Sequence, residues 1–109
     1  MIPPEVKYLL HEPLSTELNR VRSRLKMMVP NTPGARYYRR KIEVITHTYN
    51  ALADAHTYAN AIHVLQLRDQ TVHVPELDQL LTQYKKLQTA YIHTARKAIQ
   101  EQDESEVIE

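Results

Sequence analysis

Several residue types are scarce or missing in this chain of 109 residues, and each absence excludes a class of protein. There is no cysteine, which excludes a disulfide scaffold and a thiolate metal site. The single glycine, Gly34, excludes glycine-rich phosphate loops, because such loops need several glycines. No apolar run approaches the roughly 18 residues of a membrane-spanning helix. The first residues lack the basic start and apolar run of a signal peptide, so we expect a cytoplasmic location, or the host cytoplasm for a viral gene.

The composition also gives little support to catalysis. Cysteine is absent, and the three serines lie at a predicted helix cap, on a basic helix and in an acidic tail. No two carboxylates are predicted to share a buried helix face, as paired acid–base groups would. We therefore expect a non-enzymatic protein with no catalytic residue, no metal ligand and no cofactor.

The spacing of the apolar residues, punctuated by proline, predicts an all-α fold. We expect a Pro-containing amino-terminal arm (1–14), a helical domain (15–102) and a disordered tail (103–109). The acidic residues near the carboxyl end have no base among them. They are Glu101, Asp103, Glu104, Glu106 and Glu109.

Three helices are predicted, in an antiparallel arrangement. The first runs from an N-cap at Ser15 to Met28. A long second helix (35–68) and a third helix (76–102), with Pro75 in its first turn, form the central hairpin. The second helix carries two adjacent apolar stripes that together span about 200° of its surface, more than one neighbour covers. This width predicts dimerisation into a larger helical bundle.

A local block of positive charge is the most informative feature of the sequence. Eight basic residues and no acidic one lie between positions 20 and 41, although the net charge of the chain is only +1. This basic block consists of Arg20, Arg22, Arg24, Lys26, Arg36, Arg39, Arg40 and Lys41. Its second half stands at a helix start, where each cation costs about 0.3–1 kcal/mol against the helix dipole. The block therefore predicts a docking site for an anion, and the three-helix topology places the acidic tail beside it.

The sequence leaves the partner of the basic block open. One interpretation is an acidic surface on another protein, bound by a homo-oligomeric adaptor, an assembly factor or an inhibitor of a host enzyme. The alternative is a nucleic acid, with the block on phosphates and Tyr37 and Tyr38 stacking on unpaired bases. A third interpretation is a solvated helix start whose two tyrosines belong to the core. Small size and local charge would suit an accessory protein of a bacterium or phage.

Histidine and tyrosine suggest two further features. His56 and His63 fall on an apolar stripe, which fits a metal-binding or pH-sensing layer in the core, a pH-sensitive interface, or a hydrogen-bonded pair in the interior or at an interface. The Glu-x-x-His pairs of di-metal bundles do not occur. Tyrosines on the predicted apolar faces of the second and third helices favour a partly polar core over a ligand pocket. These are Tyr49, Tyr58, Tyr84 and Tyr91.

Overall fold

The computed structural model describes the backbone of residues 1–108 and the side chains of residues 1–100. This part of the chain is all-helical, which confirms the predicted class. Its helices are α1 (Pro4–Lys26), α2 (Pro33–Asp54), α3 (Tyr58–Leu67) and α4 (Pro75–Ile108). None of the described helices has the length and hydropathy that crossing a membrane requires.

Successive helices run antiparallel and form an up-down-up-down bundle. α1 packs on α2, α2 on α3 and α3 on α4, and α4 closes the ring against α1. The α1–α2 direction follows from two contacts, because Lys7 reaches the carbonyl of Ala53 whereas Glu17 meets Lys41. The molecule measures 75 × 23 × 19 Å, since the α1–α2 hairpin and α4 project from opposite ends of the bundle.

The predicted continuous helix over 35–68 is wrong, because the chain breaks after α2 and folds back as α3. The hydroxyl of Thr57 accepts a hydrogen bond from the backbone amide of Asn60 at 3.1 Å and so caps the start of α3. The backbone amide of Ile2 donates to the carbonyl of His56 at 2.8 Å. The break is therefore held by a local cap and by the far end of the chain.

The fold-back changes what covers the second apolar stripe. Ala61 and Leu65 of α3 are buried in one core cluster with Val44 and Leu52 of α2. A helix of the same chain thus covers the apolar face for which a second copy was predicted. The apolar face of α2 is therefore no longer a reason to expect a dimer. Self-association stays a prediction, and it would have to use a different surface of the molecule.

The first helix begins earlier than predicted. α1 starts at Pro4 and passes through Pro13, so Ser15 is an interior residue and not an N-cap. A proline inside a helix costs about 3 kcal/mol, because it removes one backbone hydrogen bond and crowds the preceding turn. Burial of His11 and Leu14 on either side of the proline offsets that cost. The predicted arm (1–14) is therefore mostly the first half of α1.

α4 begins at Pro75, as predicted, but it runs in the direction opposite to the one expected. His11 of α1 contacts Tyr84 of α4, and from there to residue 100 α4 advances about 24 Å farther from the basic block. The expected position of the acidic tail beside the block is contradicted, because the additional helix α3 reverses α4. The predicted disorder of the tail (103–109) concerns residues outside the described side chains and stays a prediction.

Candidate binding surface at the basic end of the bundle

The loop between α1 and α2 brings the two halves of the basic block together. The hydroxyl of Thr32 caps α2 by accepting a hydrogen bond from the amide of Ala35 at 3.2 Å, and Pro33 occupies the first helical position. Asn31 adopts a φ of 66°, a left-handed conformation that asparagine tolerates better than most residues. The tight loop (27–32) therefore places all eight cations at one end of the hairpin.

Two cations of the block share one buried carboxylate. Nζ of Lys41 lies 3.0 Å from Oε1 of Glu17, and each side chain is only 10% exposed. Arg20 donates two hydrogen bonds to the same carboxylate, at 2.6 and 2.9 Å. The hydrogen bond from Arg20, helped by Lys41, outweighs desolvation and lowers the pKa of Glu17 to about 2. The structure thus places Lys41 in the interior, although the sequence analysis counted it with the binding surface.

A third cation, Arg40, fastens the α3–α4 loop to α2. Its guanidinium pairs with the carboxylate of Asp69 and donates hydrogen bonds to Thr71 at 3.3 Å and to Glu43 at 3.0 Å. Hydrogen bonds from Thr71 are the main reason that the pKa of Asp69 is lowered. Because two carboxylates already neutralise Arg40, it adds little to the charge that an approaching partner meets.

The other five cations of the block are exposed and have no ion pair with any carboxylate whose side chain is described. They are Arg22, Arg24, Lys26, Arg36 and Arg39. Arg36 donates to the backbone carbonyl of Asn31 at 3.1 Å, which holds its side chain without cancelling its charge. We call these five cations, together with the loop (27–32), the basic tip.

Exposed apolar side chains lie among the cations of the basic tip. Met27 is 90% exposed and Val29 is 70% exposed. A groove of about 500 Å³ beside them is lined by Arg20, Ser23, Arg24, Met27 and Met28. Methionine and arginine are among the residues enriched in protein interfaces, together with the aromatic residues. The tip thus combines positive charge with apolar surface that a partner would remove from water.

The two tyrosines that were predicted to stack differ in exposure. Tyr37 is 48% exposed, whereas Tyr38 is half-buried. Their rings meet edge to face with centroids 5.8 Å apart. Tyr37 lies in the first turns of the same helix as Arg36 and Arg39, and at 100° per residue its side chain leaves the helix about 100° from Arg36 and about 160° from Arg39.

The predicted histidine layer in the core is wrong. His56 and His63 are both exposed, because the break after α2 turns them away from the interior. His63 lines a groove of about 350 Å³ between α2 and α3, together with His47. Among the residues whose side chains are described, no three His, Asp or Glu residues are grouped to hold a metal ion.

The buried histidine of the bundle is His11, which the sequence analysis did not single out. A hydrogen bond of 2.7 Å joins its Nε2 to the hydroxyl of Tyr84, and its ring packs edge-on against Tyr49. Burial lowers the pKa of His11 and raises that of Tyr84 to about 12, so both groups favour their neutral forms. The available signal was helical spacing, since His11 lies three residues before Leu14, but both residues were assigned to the Pro-containing arm (1–14).

Comparison with known proteins adds no assignment to this geometry. No family model, curated protein or solved structure matches the chain. The function proposed below therefore rests on the chemistry of the basic tip.

Proposed function

We propose that this chain is a non-enzymatic interaction protein that docks an acidic protein partner through the basic tip. The observation that carries the proposal is the mixture of five exposed cations with the exposed side chains of Met27 and Val29 at one end of the bundle. The cations attract and orient an acidic partner at long range. Burial of the apolar side chains then supplies affinity, at about 25 cal/mol for each Å² removed from water.

The shape of the hairpin supports the same proposal. Arg40 contacts the α3–α4 loop through Asp69 and Thr71, so the part of α2 that precedes Arg40 extends past that loop together with the end of α1. A projecting hairpin end enters a cleft or meets a surface without interference from α3 or α4. The fitting partner has acidic side chains around an apolar depression, and the role is that of an adaptor, an assembly factor or an inhibitor.

A pull-down from a nuclease-treated lysate of the expressing cells tests this proposal. The tip variant Arg24→Glu/Arg39→Glu reverses one exposed charge on each helix of the hairpin. The control Thr16→Glu/Asn50→Glu introduces one exposed carboxylate on each helix of the same hairpin, away from the tip and from α4. We expect a protein that the unaltered chain and the control retain and that the tip variant loses. Equal retention by both variants would remove the tip as the docking surface.

The apolar contribution is tested separately from the charge. Met27→Ser keeps the charge of the tip and removes its most exposed apolar side chain. If the partner buries this side chain, its affinity falls by about 1–2 kcal/mol, or roughly tenfold. Leu9→Ser is the control, because Leu9 is 66% exposed near the start of α1, at the other end of the hairpin. If the partner binds Met27→Ser as tightly as it binds the control and the unaltered chain, it binds through charge alone.

One observation favours a second candidate function, the binding of single-stranded nucleic acid. The exposed ring of Tyr37 shares the first turns of α2 with two cations that have no described carboxylate partner, a combination that fits base stacking together with phosphate contacts. Fluorescence anisotropy with labelled single- and double-stranded DNA and RNA at about 50 mM salt tests it, because phosphate binding weakens steeply as salt rises. Tyr37→Ala is then expected to lose about 1–3 kcal/mol, whereas Tyr8→Ala is not. No binding of any of these nucleic acids would leave the protein partner as the remaining candidate.

A further inference from the structure

α4 continues well past the other helices of the bundle. Every described side chain of this α4 extension (91–108), through residue 100, is exposed. Its apolar residues nevertheless share one face about 120° wide, at 100° per residue. They are Tyr91, Ile92, Ala95, Ala98 and Ile99.

The apolar face of the extension continues the face that α4 buries inside the bundle. Leu77, Tyr84, Tyr91 and Ala98 follow one another at intervals of seven residues, which is the spacing of a helix that packs along its whole length. Leu77 and Tyr84 are fully buried, whereas Tyr91 is 55% exposed. Helices draw most of their stability from packing of an amphipathic face. The ring of Tyr91 still contacts that of Tyr58 on α3, with centroids 5.9 Å apart, but the stripe beyond Tyr91 lacks the support that its first half has.

The charges of α4 indicate what covers the stripe. Between Asp78 and Glu101 the helix has four bases and no acid, and from Glu101 onward the chain has five acids and no base. The bases are Lys85, Lys86, Arg96 and Lys97. Acids near the carboxyl end of a helix oppose its dipole, and cations of another chain would offset that cost. An antiparallel second copy brings the acidic end of each helix to the basic stretch of the other, whereas a parallel copy brings like charges together.

We propose that two copies of this chain pair through their α4 extensions, antiparallel and centred on Ala95. In this register Tyr91 of each copy faces Ile99 of the other, and Ile92 faces Ala98. The small side chain of Ala95 at the centre lets the two helices approach closely. This interface differs from the one predicted from the sequence, which would have covered the wide apolar face of the second helix. Because α4 leads away from the α1–α2 hairpin, the dimer directs its two basic tips in opposite directions.

Light scattering on the full chain, across a range of concentrations, tests the interface. Ile92→Glu/Ile99→Glu places two carboxylates on the stripe, and His93→Glu/Gln100→Glu places two carboxylates one residue farther along, off the stripe. All four side chains are exposed in the single chain, so both variants are expected to keep its helical content by circular dichroism. The unaltered chain and the control should have the mass of two chains, and the stripe variant that of one. A monomeric unaltered chain at high concentration, or a stripe variant that still dimerises, overturns the proposal.

Single cysteines test the direction of pairing, because the chain has no cysteine of its own. Antiparallel pairing about Ala95 predicts that Ala95→Cys forms a disulfide-linked dimer by itself. Tyr91→Cys and Ile99→Cys should cross-link when mixed but not alone, because like positions are then about 12 Å apart along the pair, beyond disulfide reach. Cross-linking of each single variant with itself, without preference for the mixture, indicates parallel pairing and overturns the register.

Discussion

The ammonium group of Lys41 lies 3.0 Å from the carboxylate of Glu17 between α1 and α2, where each side chain is only 10% exposed. The same carboxylate accepts a second cation, Arg20, at 2.6 Å. Removing one partner of such a pair leaves the other charged in a place that water barely reaches. Lys41 therefore acts on the stability of the hairpin, although it belongs by sequence to the basic block.

Removing the Lys41 side chain is expected to lower stability more than any change at the basic tip. Lys41→Ala should reduce the free energy of unfolding by about 2–4 kcal/mol, because Glu17 keeps only its half-exposed partner Arg20. The double variant Glu17→Leu/Lys41→Met should recover most of the loss, because a matched apolar pair leaves no buried charge. Urea denaturation measures both effects. A loss below about 0.5 kcal/mol for Lys41→Ala would mean that water reaches the pair.

The burial of His11 predicts a loss of stability in mild acid. Burial, with a smaller contribution from the charge of Lys7, lowers the pKa of His11 below its ordinary value of 6.5. His11 therefore binds a proton in the unfolded chain at pH values where it is still neutral in the folded chain. The stabilising contribution of His11 is complete above pH 6.5 and declines as the pH falls from 6.5 towards the lowered pKa of the folded state.

Chemical denaturation at a series of pH values between about 5 and 7.5 measures this dependence. The ring of His11 is flanked by Lys7 on its own helix, Tyr49 on α2 and Tyr84 on α4, and His11→Gln removes the titrating group among them. This variant should be less stable at neutral pH and should show a flatter pH dependence. An unchanged slope in His11→Gln would assign the acid sensitivity to another group.

The cap at Thr57 is expected to stabilise the fold-back between α2 and α3. Thr57→Ala removes the hydroxyl that accepts the Asn60 amide and should lower the free energy of unfolding by about 1 kcal/mol. Thr89→Ala is the matched control, because the hydroxyl of Thr89 only bonds the carbonyl of Lys85 within a helix. Urea denaturation of the two variants makes the comparison. Equal losses would show that the cap adds nothing specific to this break.

The break at Thr57 is the feature of the fold that the local sequence did not predict. Local signals predicted the helical class and the start of α4 at Pro75, because periodicity and proline act on neighbouring residues. No proline or glycine lies between positions 35 and 68, and the helical period continues through the break. The additional contact that holds the break comes from Ile2, at the other end of the chain, and no local pattern contains it.

The same distinction applies to the binding surface. The position of the basic block along the chain was visible in the sequence, and the structure places all eight cations at one end of the bundle. Arg20 and Arg40 each have a glutamate three residues away on the same helix, a spacing that the sequence does contain. The partners Glu17 of Lys41 and Asp69 of Arg40 were not visible, because they lie 24 and 29 residues away. Pairing across such separations depends on the fold, and the fold-back that brings Asp69 to Arg40 was itself not predicted.

Two adjacent arginines, Arg39 and Arg40, are expected to separate binding from stability. Arg39→Ala should change the free energy of unfolding by less than about 0.5 kcal/mol, because Arg39 is exposed and has no described carboxylate partner. It should weaken retention of the partner in the pull-down, because a charge of the basic tip is lost. Arg40→Ala should show the reverse pattern, since it releases Asp69 and Glu43 and costs up to about 1 kcal/mol for half-exposed pairs.

Urea denaturation and the pull-down, applied to Arg39→Ala and Arg40→Ala, measure the stability and the partner binding of each variant. All four results must agree with a binding role for Arg39 and a structural role for Arg40. The two residues have the same chemistry and adjoin in sequence, so neither net charge nor composition distinguishes the variants. Only the contacts of Arg40 with the α3–α4 loop do so, and these depend on the fold-back of α3. Equal loss of binding in both variants would mean that the basic block acts through its total charge, and that its division into buried, fastening and exposed cations has no bearing on partner choice.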